Sequence, residues 1–507
     1  MDTSGITMRL RIFKVTFTPL LTIVFHGCIS VGPDYEAPTV ELQSKWQADL
    51  PGMHVSELDP QWIAQFWQKT EDPALNELVH EAVKNNRTLM QAADRLVAAR
   101  ANRGLAYAAF FPTIDANGAI TDQQSRVQTD HTPTTSTDLA KALLERNESG
   151  KPVTSRKETR TGSLDASWEI DLFGGNRRAL EAAEGDLQSA HEAYRDALTS
   201  LVAEVALNYI SLRTYERRLE IAENNLKIQQ SSLDLALYRV QAGLSDGLDE
   251  EQARLSIETT KSQIPTLKAG IAQTRFTLAA LLGLQPEAFS KKTQELLAAK
   301  TRPRLPDRLV IDTPADAIRR RPDIRRAERK LAAETARIGV RKSDLYPKLT
   351  LPGTLSYTTT GSTDTSIASI GLRLSWNIFD AGAIRRRVDI QKATQSEAFH
   401  AYEQTLFTAL SEINGALVAY TQEEERRLAL GRAAAHAEKA AMLTRLKYQT
   451  GLVAFSDVLT AEQTMLSRQN ELAVSEGESI SNFIRLYRVL GGGWQSYAPE
   501  EAREKPE

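Results

Sequence analysis

The chain has 507 residues, 41% of them hydrophobic and 25% charged, with a formal net charge of −3. That leaves room for three or four domains or one elongated one, globular rather than disordered, and the near-even charge balance speaks against a nucleic-acid binder. The single cysteine excludes an intrachain disulfide and cysteine-based metal clusters, the seven His lack metal spacing, and no dinucleotide, P-loop or serine-hydrolase motif occurs; no enzyme, cofactor or metal site is expected.

At the N-terminus Arg9, Arg11 and Lys14 precede a short apolar run, Val15 to Phe25. It is too short to span a bilayer and reads as a secretory signal, residues 1–27. The chain's one cysteine follows a small residue, Gly27-Cys28, as in a bacterial lipobox, where the Cys becomes the acylated N-terminus. A plain signal peptide with an incidental Cys28 is the alternative. The rest has no apolar stretch long enough for a transmembrane helix, so any crossing must be a β-barrel.

Two halves of the chain match each other, the sequence's most informative feature. Leu89, Ala92, Leu96, Ala101, Gly104 and Pro112 align at constant offset with Ile324, Ala327, Leu331, Ala336, Gly339 and Pro347. Trp168, Gly174, Arg177 and Arg178 align with Trp376, Gly382, Arg385 and Arg386; Gly243-Leu244 with Gly451-Leu452; Leu282-Gly283 with Leu490-Gly491. The first half carries a longer polar loop, about Gln123 to Arg160. The repeats are expected at 74–285 and 317–491, with 28–73 an acylated segment and linker, 286–316 an inter-repeat segment and 492–507 a tail.

Each half reads helix, two strands, long helix, tight turn, helix. A first helix spans about Ala74 to Phe110 and ends at Pro112; its counterpart spans about Pro322 to Leu345. Leu164, Ala166, Trp168, Ile170 and Leu172 alternate with Asp165, Ser167, Glu169 and Asp171. Ile370, Leu372, Leu374, Trp376 and Ile378 alternate with polar or small residues in the same way. Such strands suit a membrane barrel with a wet lumen and equally a half-buried soluble sheet; the secretory signal favours the barrel. No proline interrupts Arg177 to Ala242 or Ile384 to Thr450, so each can form one helix ~100 Å long. Leu219, Ala222, Leu226, Gln229, Leu233, Ala236 and Val240 make a coiled-coil seam. Gly243 and Gly451 are expected as left-handed caps at hairpin tips. Four strands cannot close a barrel, for which about eight is the practical minimum, so several chains must share it.

These features resemble the TolC-like outer-membrane factors, specifically the OprM/NodT-type efflux lipoproteins, over nearly the whole mature chain. The resemblance rests on Cys28-x-x-x-Gly32-Pro33-Asp34-Tyr35, Asp72-Pro73-x-Leu75, Trp168-Glu169-Ile170-Asp171-Leu172-Phe173-Gly174, Arg321-Pro322-Asp323-Ile324, and Tyr448-x-x-Gly451 with Asp457-Val458-Leu459. It implies a mixed α and β membrane protein: a homotrimer sharing a 12-stranded outer-membrane barrel, four strands per chain, continued by an α-helical barrel into the periplasm. It implies a passive exit duct for small toxic compounds or drugs, lipid-anchored in a Gram-negative outer membrane. A periplasmic adaptor and an inner-membrane pump, of RND type, are the implied partners. Protein secretion, metal-ion efflux, and a periplasmic structural coiled-coil lipoprotein are the competing readings.

Departures from the family pattern are Arg87, where the second half has Pro322, and Val453 and Thr460, where some relatives carry an aperture-latching Arg and Asp. Tyr448 and Asp457 remain gate candidates. Their structural alternatives are seam packing for Tyr448 and a helix cap for Asp457. Trp168 and Trp376 are expected at the membrane boundary, or else as ordinary sheet packing. Leu244 and Leu452 are expected to seat the adaptor, or else to make the apolar contact of a Schellman cap.

Overall fold

The computed structural model describes residues 30–39, 46, 53–55, 71–127, 153–298, 303, 309–311, 313–495 and 497. Cys28 lies outside them. The described residues fall into two compact units, one within Met1–Tyr35, Asn102–Ala183 and Glu334–Thr394, the other within Glu36–Ala101, Glu184–Ala333 and Gln395–Glu507.

The first unit is built on an antiparallel sheet of β2 (Thr113–Val127), β3 (Val153–Ile170), β5 (Lys348–Thr360) and β6 (Thr363–Ile370), with the short β7 (Arg373–Ser375) pairing β5. Leu164 of β3 stands opposite Ala116 on one side and Leu355 on the other, and Trp168 opposite Leu351. Ile114, Ile120, Leu164, Leu355, Tyr357 and Ile370 all lie exposed, on the face the register shares. The opposite face is polar: Asp165 accepts hydrogen bonds from Ser163 (2.8 Å), Asn117 (2.9 Å) and Thr354 (2.9 Å). Among the described residues β2 pairs only with β3, and β6 and β7 only with β5, so the sheet ends there in two open edges. The expected polar loop is shorter than the sequence suggests. Strand pairing runs out to Val127 and Val153 because polar cross-strand partners hold it, such as Arg156 with Asp122 at 2.5 Å. The last strand, expected to reach Ile378, instead breaks at Gly371 and stops at Ser375.

The second unit is helical. β1 (Met53–Val55) and β4 (Leu309–Ile311) make a small parallel pair. The expected single first helix is two, α1 (Pro73–Asn85) and α2 (Arg87–Ala108). Asn86 breaks it in an extended conformation; its side chain accepts from Leu89 N at 2.9 Å and donates to Leu281 O at 2.8 Å. An Asn offers the backbone this local alternative to the helix, and it starts α2 without the proline missing at Arg87. The second half repeats the break at Arg321, between α6 (Pro314–Arg320) and α7 (Pro322–Ser343).

The long helices α3 (Gly175–Gln241) and α8 (Ala383–Gln449) have 67 residues each, about 100 Å at 1.5 Å per residue. Their returns α4 (Gly247–Leu281) and α9 (Phe455–Val489) have 35 each, and α5 (Pro286–Ala298) follows the first. Ala222, Gln229, Leu233 and Ala236 of the expected seam are buried. The main core gathers α1, the middle of α3 and the ends of α4 and α9, around Leu75, Leu198, Tyr209, Leu278 and Leu486. Among the described residues no helix is long and apolar enough to cross a membrane.

Candidate functional site

The hairpin tips follow from two glycines. Gly243 (φ +68°) and Gly451 (φ +76°) adopt the left-handed conformation that only glycine takes without strain. Leu244 N then donates to Arg239 O and Leu452 N to Lys447 O, both at 2.9 Å, closing two Schellman motifs. The motif's usual apolar contact is not what holds the leucines, because Leu244 is 67% and Leu452 74% exposed.

All four helix ends meet at the tip, in a cluster of Leu233, Ala236, Ala253, Ile257, Tyr448, Phe455 and Val458. Tyr448 is 2% exposed and its ring lies 5.2 Å from Phe455. Arg239 sits over that ring at 4.7 Å and donates to Tyr448 O at 2.9 Å. Tyr448 OH donates to Asp249 Oδ2 at 3.0 Å, and Ser245 Oγ bonds the same carboxylate. Burial, reinforced by the Asp249 carboxylate, pushes the Tyr448 phenol up to about 12. Seam packing and a polar clasp between the two hairpins therefore coincide in one residue.

Asp457 is exposed, on the first turn of α9. It is not the N-cap: that position is Ala454, and Asp457 Oδ2 accepts the Ala454 N–H at 3.2 Å from the third helical position. In the first half the equivalent cap is Asp246, whose carboxylate accepts Leu248 N at 3.0 Å. Above the tip, buried Glu462 accepts from Arg445 (2.6 Å) and Ser232 (2.6 Å), a second polar tie between the hairpins.

Trp168 and Trp376 play one role twice. Each indole N–H donates to a carbonyl of the turn just past the preceding helix, Phe110 O at 2.9 Å and Leu345 O at 3.0 Å, while the rings stay exposed. At the same junction the segment after Cys28 is seated in the sheet unit. Val31 N donates to Phe173 O (3.1 Å), Arg178 donates to Val31 O (3.2 Å) and pairs with Asp34 (2.6 Å). A Cβ on Gly32 would stand 2.5 Å from Gly339 Cα, so the backbones touch there only because both residues are glycine. Sequence reasoning singled out Tyr448 and both tip glycines. It missed Arg239, Asp249, Glu462 and the Arg178–Asp34 pair; the repeat alignment alone could have found Asp249, which stands where the second half has Asp457.

A sheet with one exposed apolar face, joined to helical hairpins of this length, defines a channel-forming membrane protein. The outer membrane efflux protein family profile matches residues 78–284 and 313–492, and the chain belongs to that family. It is 30% identical to nodulation protein T of Rhizobium leguminosarum bv. viciae over 489 residues, covering 96% of this chain and 95% of the relative. It is 28% identical to the toluene efflux pump outer membrane protein TtgF of Pseudomonas putida, covering 95% and 97%. Among solved structures, the outer-membrane channel OprN superposes with a TM-score of 0.78 at 32% identity, over 92% of this chain and all of that one. The protein is an outer-membrane efflux channel of mixed α and β fold, from a family of channels rather than enzymes.

Proposed function

We propose that three copies close one 12-stranded barrel and act as the passive exit duct of a tripartite efflux system. The carrying observation is the sheet: four principal strands, an exposed apolar face and two open edges, which a lone chain could neither close nor leave wet. Lipid covers the apolar face, and neighbouring copies pair the edges. The polar face lines the passage, which holds water and gives substrates little adhesion. Small toxic compounds are the cargo; relatives named for toluene, solvent and antibiotic efflux support that reading over protein or metal export. Energy comes from an inner-membrane pump, of RND type, through a periplasmic adaptor.

The six tips of the trimer meet the adaptor through Leu244 and Leu452. Their exposure supports contact with a partner rather than a folding role. The test is the double variant Leu244→Ser/Leu452→Ser. It is expected to run as a heat-dissociable trimer from the outer-membrane fraction, yet to lose adaptor cross-linking and efflux. A double variant that fails to trimerise makes the leucines structural; a wild-type protein that never runs as a trimer overturns the shared barrel.

A further inference from the structure

The repeat produces two strand-to-helix junctions, and the described residues fill only one. At the first, Arg178 has a side chain 6% exposed, held by Asp34 at 2.6 Å and by its helix neighbour Glu181 at 2.7 Å. Arg177 pairs with Asp171 at 3.4 Å. Phe173 stacks on Tyr346 with centroids 4.7 Å apart. A Cβ at Gly174 would stand 2.7 Å from Ser30 Oγ, so the 30–34 segment packs tightly into the cradle.

At the second junction most of these partners are gone. Arg386, the counterpart of Arg178, is 83% exposed and among the described residues keeps only the helix neighbour Asp389, at 3.3 Å. Arg385 has Phe379 where Arg177 has Asp171, and that phenylalanine is 87% exposed. Ala381 replaces Phe173, so no ring can stack on this side. A Cβ built on Gly382 or on Gly104, the counterparts of Gly174 and Gly339, would meet nothing within 4 Å. Arg385 and Arg387 make no ion pair among the described residues, and Trp376 and Ile378 are exposed just before them.

We propose that this second junction binds the headgroup of an anionic phospholipid from the periplasm-facing leaflet of the outer membrane. Arg385 and Arg386 hold the phosphate, as Arg178 holds the Asp34 carboxylate, and Ile378 and Phe379 lie along the acyl chains. Three features favour a lipid over another segment of protein. The arginines have lost two carboxylate partners, and the acid that this junction has gained, Asp380, accepts the backbone N–H groups of Gly382 (2.9 Å) and Ile384 (2.6 Å) rather than a guanidinium. The residue that replaced one acid is a large exposed aromatic. The site also continues the apolar sheet face that the membrane covers. A guanidinium pair suits a phosphate's fixed oxygens, and the flanking aromatics suit the headgroup boundary. The site rests on the trimeric barrel reading, in which the next copy's Gly104 closes its far side.

Native mass spectrometry of the detergent-extracted protein with added phosphatidylglycerol or phosphatidylethanolamine reads oligomer and lipid separately. The wild type is expected to retain up to three phosphatidylglycerol molecules per trimer and to prefer them over phosphatidylethanolamine. Arg385→Gln/Arg386→Gln, and separately Phe379→Asp, are expected to lower phosphatidylglycerol retention at least tenfold with the trimer mass unchanged. Arg385→Lys/Arg386→Lys should recover part of it. Equal retention in the Gln and Asp variants overturns the site. So does a wild-type trimer that retains no phosphatidylglycerol; a disulfide between Gly104→Cys and Gly382→Cys of neighbouring copies would then show that the neighbouring chain alone seals the junction. A wild type of monomer mass refutes the shared barrel instead, with lipid adducts still scored on the monomer.

Discussion

Removing the Tyr448 hydroxyl isolates the clasp between the two hairpin tips. Tyr448→Phe deletes the bond to Asp249 (3.0 Å) and leaves the ring beside Phe455 and Arg239. A hydrogen bond to a carboxylate contributes about 1.5–3 kcal/mol. Asp249 is half-buried and also accepts from Ser245, so the lower end of that range applies, about 1.5 kcal/mol. That is roughly a tenfold change in the ratio of parted to clasped tips. Tyr448→Ala also removes a fully packed ring, a loss of about 3–5 kcal/mol by comparison with buried Phe→Ala, together with its cation–π contact. Bilayer conductance of the reconstituted trimer, with amide exchange of the 239–249 and 448–457 segments, checks both. Tyr448→Phe and Asp249→Asn should each raise open probability and exchange by the same modest factor, and the double variant should add little further. Strictly additive effects in that cycle would show that the two side chains are uncoupled and refute the clasp.

Other outcomes follow from the same geometry. Asp457→Asn keeps an acceptor for the Ala454 N–H, so folding should change little. If the three Asp457 carboxylates ring the passage, cation selectivity in a salt gradient should fall; an unchanged reversal potential leaves Asp457 as a capping residue only. Cys28→Ser should abolish palmitate labelling, while the seated 30–34 segment and the barrel preserve membrane insertion; labelling that persists removes the lipid anchor. Stability should fall at both ends of the pH range. Burial, then Arg195 and Arg100, lowers His191 to about 4, so its contribution is complete above about 6.5 and lost as pH falls toward 4. Tyr448, raised to about 12, contributes fully below about 10 and loses that contribution as pH rises through 12. Thermal unfolding against pH should show both limbs, and His191→Gln should flatten the acid one.

What could be read from the sequence was whatever the backbone itself demands. Gly243, Gly451 and the proline-free runs fixed hairpins of equal length, because left-handed caps and unbroken helices leave local signatures. The Asn86 break was hidden, since an Asn inside an apolar-periodic stretch differs little from a surface residue until its side chain meets Leu281 O. Strand ends were hidden too: polar pairs such as Arg156 with Asp122 look like loop residues until a partner strand lies opposite. Tyr448 was visible through its tip motif, but Asp249 and Arg239 reach it from the other half of the chain. Periodicity cannot report such a distant pairing. The seat for the 30–34 segment needed three glycines to be brought together, and none of them announces a contact alone.

The duplication explains why backbone and side chains behave so differently here. Positive-φ glycines recur in pairs, at Gly174 and Gly382, Gly243 and Gly451, and Gly283 and Gly491, because the same turn must be made twice. No such demand binds the side chains that join one half to the other. A contact between halves can be made once, so each half is free to keep only its own side of it. Tyr448 in the second half meets Asp249 in the first; Glu462 in the second, held by Arg445, accepts from Ser232 in the first. The tips diverge in the same sense, with Asp246 capping α4 through its own carboxylate and Ala454 leaving α9 to rely on Asp457. An N-cap Asp is worth about 1 kcal/mol over Ala, so the two return helices begin with unequal holds on their first turns. The repeat thus survives in the path of the chain, while the chemistry of its two halves differs. For that reason the functional residues of this channel cannot be assigned by copying one repeat onto the other.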